Sequence, residues 1–206
     1  MSRKNQKVRV TFYAQRHGDK DGDALTPKGR GQVRRSATKY LSDVRFVKGF
    51  SSFCKRAIST TNIALRASGN ANTPRQPDMG FDFRHSVYDR FPASDAVAYV
   101  NAAIATGARN TISLWLGAWP TFIGVRARFT ECMFRWANIL VLSDHQQDII
   151  VYVGTHSPGA DACVLDPDNT LRLQPAGIMK YVVEVDPKTN TVELVESTVI
   201  FEGYPE

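Results

Sequence analysis

Nothing in this chain of 206 residues suggests a disulfide framework: its three cysteines, Cys54, Cys132 and Cys163, are an odd, widely spaced set with no CxxC. That usage fits reduced thiols in a cytosolic protein. Histidine is scarce as well. Of His17, His85, His145 and His156, no two stand in an HxH or HxxxH spacing, so no metal site is expected. His85 and His145 lie in polar stretches and read as exposed. Long apolar runs are missing, because Arg126, Arg128 and Arg135 break the most hydrophobic region, which excludes a membrane span. The basic start Met1 to Lys7 leads into no apolar segment of the kind a signal peptide needs. Repeats and low-complexity tracts are absent. Together these absences predict a soluble, cytoplasmic protein with no membrane partner.

What is present describes an ordinary globular chain. Hydrophobic residues make up 43% and charged ones 22%, and the length suits one domain with a sizeable core. The net charge of +6 favours anionic ligands. Its lysines and arginines are scattered, with no tract that interleaves them with aromatics, so nucleic acid is not expected as a partner.

The segment Val8 to Gly18 begins as a strand, with Val8, Val10 and Phe12 alternating against Arg9 and Thr11. It ends in a Gly/Asp-rich turn. Thr26 and Pro27 then predict the cap and first residue of a helix running to Leu41. A second strand is expected over Val44 to Ser52 and a second helix from Lys55 to Arg66. Strand and helix alternating in this way imply parallel strands with right-handed crossovers. Residues 67–81 read as loop with at most a short strand. Helices are predicted over 94–106 (capped by Ser94 and stopped by Gly107), Thr111 to Trp119, and a long amphipathic stretch from Phe122 to Leu140. Ile149 to Val153 is a continuous apolar run, the pattern of a strand buried on both faces. Ile178 to Val185 and Thr191 to Ile200 predict an antiparallel hairpin. Trp115, Trp119 and Trp136 fall on helical patterns and read as packing residues.

Three predicted strand ends carry polar groups of one kind: Arg16-His17, then Ser51-Ser52 followed by Arg56, and finally His156. Parallel strands bring such ends to one sheet edge, where ligands bind in open α/β folds. Two guanidiniums can grip phosphoryl oxygens bidentately. One imidazole can attack phosphorus while the other donates to its oxygens. Nearby cations also oppose protonation of the nucleophile. Cys54 lies close to this set and reads as a buried thiol.

These residues resemble the motifs of the histidine phosphatase superfamily, which shares the phosphoglycerate mutase-like fold. Gln15-Arg16-His17-Gly18 is similar to its Arg-His-Gly signature, and Leu25 to Gln32 to the "LTxxGxxQ" helix start. Ser51 to Thr61 resembles "SSxxxRAxxTA", and Gly154-Thr155-His156-Ser157 the second-histidine block. The order is the family's, spanning residues 8–160. The resemblance implies a three-layer α/β sandwich on a mostly parallel central sheet, as a single domain over 1–206 with a helical insertion at about 82–147. It implies phosphomonoester or phosphoprotein hydrolysis through a phosphohistidine on His17, with Arg16, Arg56 and His156 binding phosphate and no cofactor. The turn departs from the family's larger branch, with Asp19, Lys20 and Asp23 in place of its usual residues. The family's "LxE" acid is also not present as written. Val87-Tyr88-Asp89 makes Asp89 the first choice of proton donor and Asp82 the second. The alternatives are a mutase of the same chemistry and a catalytically idle phosphate-binding protein.

Overall fold

The computed structural model describes residues 6–82, 93–119, 121–143, 148–157 and 159–205. In chain order its elements are β1 (Val8–Arg16), a small hairpin of β2 (Lys20–Asp21) and β3 (Ala24–Leu25), α1 (Pro27–Tyr40), β4 (Lys48–Ser51), α2 (Lys55–Ala67) and β5 (Arg75–Pro77). Then follow α3 (Ala93–Ala105), α4 (Ile112–Ala118), α5 (Thr121–Ser143), β6 (Asp148–Thr155), β7 (Ile178–Asp186) and β8 (Thr191–Phe201). Short 3-10 turns occupy Met79–Phe81 and Gly159–Asp161.

Six strands form one sheet in the order β5-β4-β6-β1-β7-β8. The first four are mutually parallel, β7 is antiparallel to β1, and β8 is antiparallel to β7. Side-chain alternation divides the core between the two faces. Val10, Phe12 and Ala14 of β1, with Ile149, Val151 and Val153 of β6, pack beneath α4 and α5. On the opposite face Tyr13, Ile150 and Tyr152 meet Val33 and Ala37 of α1 and Ala64 and Leu65 of α2. Each large apolar side chain fully buried in this way contributes roughly 1.5–3 kcal/mol. A one-residue slip would exchange the two sets, so the packing pins the register.

Thr26 caps α1 by accepting from the Gly29 N–H, as expected from the sequence, and Thr111, expected as the first residue of α4, is its cap, accepting from Leu114 N–H. Two expectations are corrected in detail. Val44 to Val47 is not strand; β4 spans only Lys48–Ser51. Phe46 instead anchors this segment, its N–H donating to Asn70 Oδ1. Ser94 is not a cap, because α3 begins at Ala93. Among the described residues no helix is long and apolar enough to cross a membrane.

Candidate functional site

The ladder registers explain how distant motifs meet. Arg16 pairs with Thr155 across β1 and β6, and Ser51 with Gly154 across β4 and β6. The next residue of each strand, His17, His156 and Ser52, therefore emerges at the same sheet edge. Two backbone bonds hold these exits: His17 N–H to Thr155 O (3.0 Å) and Ser52 N–H to Gly154 O (3.1 Å). Behind them Gln15 is a fully satisfied buried amide, donating to Ser36 Oγ and Ala176 O and accepting from Tyr152 Oη. Three elements are thus tied to the strand end just before the site, which keeps that end rigid.

The His17 and His156 rings lie 5.2 Å apart, centroid to centroid, edge to face. Both are buried. His17 Nδ1 donates to the carbonyl of Gly18 (2.7 Å), leaving Nε2 as the basic nitrogen. Burial lowers the His17 pKa to about 4, against the raising effect of the Gly18 carbonyl, with Arg56, Arg16 and Lys20 pushing it further down. The imidazole is neutral at physiological pH, as a nucleophile requires. The sequence anticipates the cations' effect but not that burial is the larger one.

Arg56, on the first turn of α2, donates from Nε to His156 Nδ1 (3.4 Å) and from Nη1 to Asp23 Oδ1 and Gly22 O, both 3.3 Å. Since Nδ1 accepts, the ring proton of His156 sits on Nε2, which faces Ser52 Oγ at 2.7 Å and Cys54 Sγ at 3.0 Å. Arg16 Nη1 donates to the Leu173 carbonyl (2.7 Å), and the Leu173 N–H donates in turn to Asp161 (2.8 Å). Asp161 is wholly buried and also accepts from Ser157. Burial raises its pKa despite Arg172 and these bonds. Arg172 lies 3.8 Å over the Trp115 ring and donates to Ser157, linking α4 to the same cluster.

Asp82 is the carboxylate that lies beside His156 and Cys54. It follows the Met79–Phe81 turn, which Asp78 organises by accepting from Gly80 N–H, Trp136 Nε1 and Arg135 Nη2. Burial pushes the Asp78 carboxyl up, but these bonds overcome it and hold the group below its usual range. Thr155 Oγ1 donates to Phe81 O (2.7 Å), and Phe53 N–H to Asp82 Oδ2 (3.2 Å). Asp82, Cys54 and His156 each offer an atom within 4.8 Å of the others. A small cleft beside Asp82 is also lined by Arg128, whose Nη1 is buried with no hydrogen-bond partner among the described residues.

The structure thus brings together His17, Arg56 and His156, with Arg16 adjoining through its own backbone. Asp89, expected as proton donor, lies outside the described residues, as do His85 and His145. Ser52 and Cys54, in contact with His156, had no assigned role in the sequence. Their signal was the "SSxxxR" spacing, which puts both between a strand end and Arg56.

No protein-family model matches the chain, and no curated protein matches it in sequence. Solved structures do match in shape. A phosphoglycerate mutase from Bacillus anthracis str. Sterne superposes with a TM-score of 0.64 at 18% identity, covering 95% of each chain. A mycobacterial glucosyl-3-phosphoglycerate phosphatase gives 0.56 at 17%, over 91% of this chain and 97% of that one. A phosphoserine phosphatase from Entamoeba histolytica gives 0.55 at 14%, over 92% and 96%. With its strand order, its two helical layers and these three likenesses, the chain has the phosphoglycerate mutase-like fold.

Proposed function

We propose that the protein hydrolyses phosphomonoesters in two steps through a phosphohistidine on His17. The observation that carries this reading is the pairing of a buried, neutral His17 with His156 at 5.2 Å, both within the field of Arg56. His17 Nε2 attacks phosphorus and the P–O bond to the leaving group breaks. Arg16, Arg56 and His156 neutralise the charge spread over the phosphoryl oxygens. Binding of the phosphate draws Arg56 from His156 Nδ1 toward the phosphoryl oxygens. Water then attacks the phosphohistidine, releasing inorganic phosphate and restoring His17. The substrate is a phosphorylated small molecule or a phosphoprotein, and the positive charge of Arg128 beside the cleft suits an anionic one. The fold's known members include both phosphatases and mutases, which supports phosphoryl transfer as the reaction class.

The test is turnover of a generic aryl phosphate by the wild type and by His17→Ala. Loss of all turnover, with a phosphorylated His17 trapped in the wild type, is expected. Full activity in the variant would sink the nucleophile assignment. A phosphohistidine that resists water and passes its phosphoryl group to a second substrate would mark a mutase instead. Phosphate binding with no turnover in the wild type would mark an idle binding protein.

We assign the proton donor to Asp82, which lies within 4.8 Å of the ligating atoms of His156 and Cys54. General-acid loss costs about 10²–10⁴-fold where the leaving oxygen is basic. Asp82→Asn is therefore expected to impair alkyl phosphates far more than nitrophenyl phosphate. If Asp89→Asn shows that selective loss and Asp82→Asn does not, the donor is Asp89.

A further inference from the structure

The same corner of the site holds a donor set that joins Cys54, which the proposed hydrolysis does not use, to two residues that it does. Cys54 Sγ stands 3.0 Å from His156 Nε2, and a carboxylate oxygen of Asp82 completes a triangle no side of which exceeds 4.8 Å. All three side chains are buried. Each is anchored by a different element: Cys54 at the N-cap of α2, Asp82 after the turn that Asp78 organises, His156 one residue beyond β6. No spacing rule could find them, because the first and last are separated by the whole helical insertion.

We propose that Cys54, Asp82 and His156 form a binding site for a zinc-class divalent cation, and that its occupation shuts off phosphoryl transfer. Sulfur, imidazole nitrogen and carboxylate oxygen are the three donor types zinc takes, at about 2.3 Å for sulfur and about 2.0–2.2 Å for the others. A tetrahedral ion at those lengths separates its ligands by roughly 3.3–3.8 Å, so side-chain adjustments of about an ångström close the triangle. Magnesium and calcium do not fit, since thiolate and imidazole are poor ligands for hard cations. Charge balance favours the complex: a thiolate and a carboxylate together neutralise a divalent ion in a buried site. Three protein ligands leave a fourth position for water or for the Ser52 hydroxyl, which is 2.7 Å from the same nitrogen.

The protons are accounted for as follows. Cys54 releases its thiol proton to solvent as the metal–sulfur bond forms. Coordination through His156 Nε2 moves the ring proton to Nδ1, and Arg56 must then leave that nitrogen. Asp23 Oδ1 and Gly22 O, each 3.3 Å from Arg56 Nη1, retain the guanidinium. The metal would take the phosphate-binding histidine and Asp82 out of the reaction at once. This inhibitory half rests on the proposed hydrolysis, whereas the binding half does not.

Cobalt(II) added to chelator-stripped protein tests the binding directly. One equivalent is expected to give tetrahedral d–d bands and a thiolate-to-cobalt charge-transfer band, both displaced by zinc. Cys54→Ser should abolish the charge-transfer band, while Cys132→Ser and Cys163→Ser keep it. Asp82→Asn should weaken cobalt binding by more than the ~10–100-fold that losing an outer-shell partner costs. Absence of the band in the wild type, or its survival in Cys54→Ser protein with an unchanged circular dichroism spectrum, overturns the site. In the activity arm, zinc should suppress aryl phosphate hydrolysis by the wild type, a chelator should restore it, and Cys54→Ser should resist. Stoichiometric metal binding without inhibition of an active enzyme overturns the inhibitory half. A protein that binds cobalt as expected but hydrolyses no phosphate refutes the hydrolase reading and leaves the metal site standing.

Discussion

At His17 two opposing influences act on one ring: burial and three cations favour the neutral form, and the Gly18 carbonyl favours the charged one. The neutral form wins, and the group titrates near 4 instead of 6.5. Below 6.5 the unfolded chain takes up a proton that the folded chain refuses until about 4. Stability is therefore full above the upper value and falls as pH drops through that window. The whole window is worth about 3 kcal/mol. Urea unfolding from neutral pH to a pH of about 4 should show a shallower decline in His17→Gln than in the wild type. Equal slopes would show that some other group is responsible. The identity of His17 as the centre of the site was legible because Arg-His-Gly closes a single local strand pattern. Its tautomer was not, since that depends on where the Gly18 carbonyl turns.

Elements set the distances between these groups. Helix α2 carries Arg56 and lies close against β6, a closeness that Gly154 permits. A Cβ at Gly154 would run into Thr61 Oγ1 and come within 2.9 Å of the Ala57 carbonyl. Both obstacles belong to α2, whose Thr61 hydroxyl is tied to Phe50 O and Ala57 O. Gly154→Ala must push the helix away, at a cost of about 1–3 kcal/mol. The displacement moves Arg56 from the pocket, so KM for an aryl phosphate should rise alongside the loss in melting temperature. An unchanged KM in a destabilised variant would detach Arg56 from substrate binding. A similar close approach joins the turn after His17 to α1, where a Cβ on Gly18 would strike the backbone of Gly29. The helical spacing of α2 and the continuous apolar run of β6 are both legible in the sequence. Their separation is not, because it depends on contact between glycine backbone and a neighbour remote in sequence.

Over the whole molecule the net charge of +6 is a field as well as a sum. Arg16, Arg56 and Lys20 concentrate it around His17, and Arg128 adds to it at the neighbouring cleft. A dianionic phosphate ester should be drawn in, so kcat/KM is expected to fall with rising ionic strength more than kcat does. A kcat/KM independent of salt would rule out steering. The kinds of element, their order along the chain and the four side chains proposed to handle phosphate all followed from local patterns: alternation, helical spacing, capping residues and short motifs. Those patterns are written in windows of a few residues, which is why one chain sufficed to read them. The lateral order β5-β4-β6-β1-β7-β8 is a different kind of fact. It places β6 between β4 and β1, and so puts His156 between His17 and Cys54. Asp82 reaches the same corner through Asp78, Trp136 and Arg135, and Asp23 reaches Arg56 across a turn. Such meetings arise from long-range packing of one side chain against another, for which a linear pattern carries no signal.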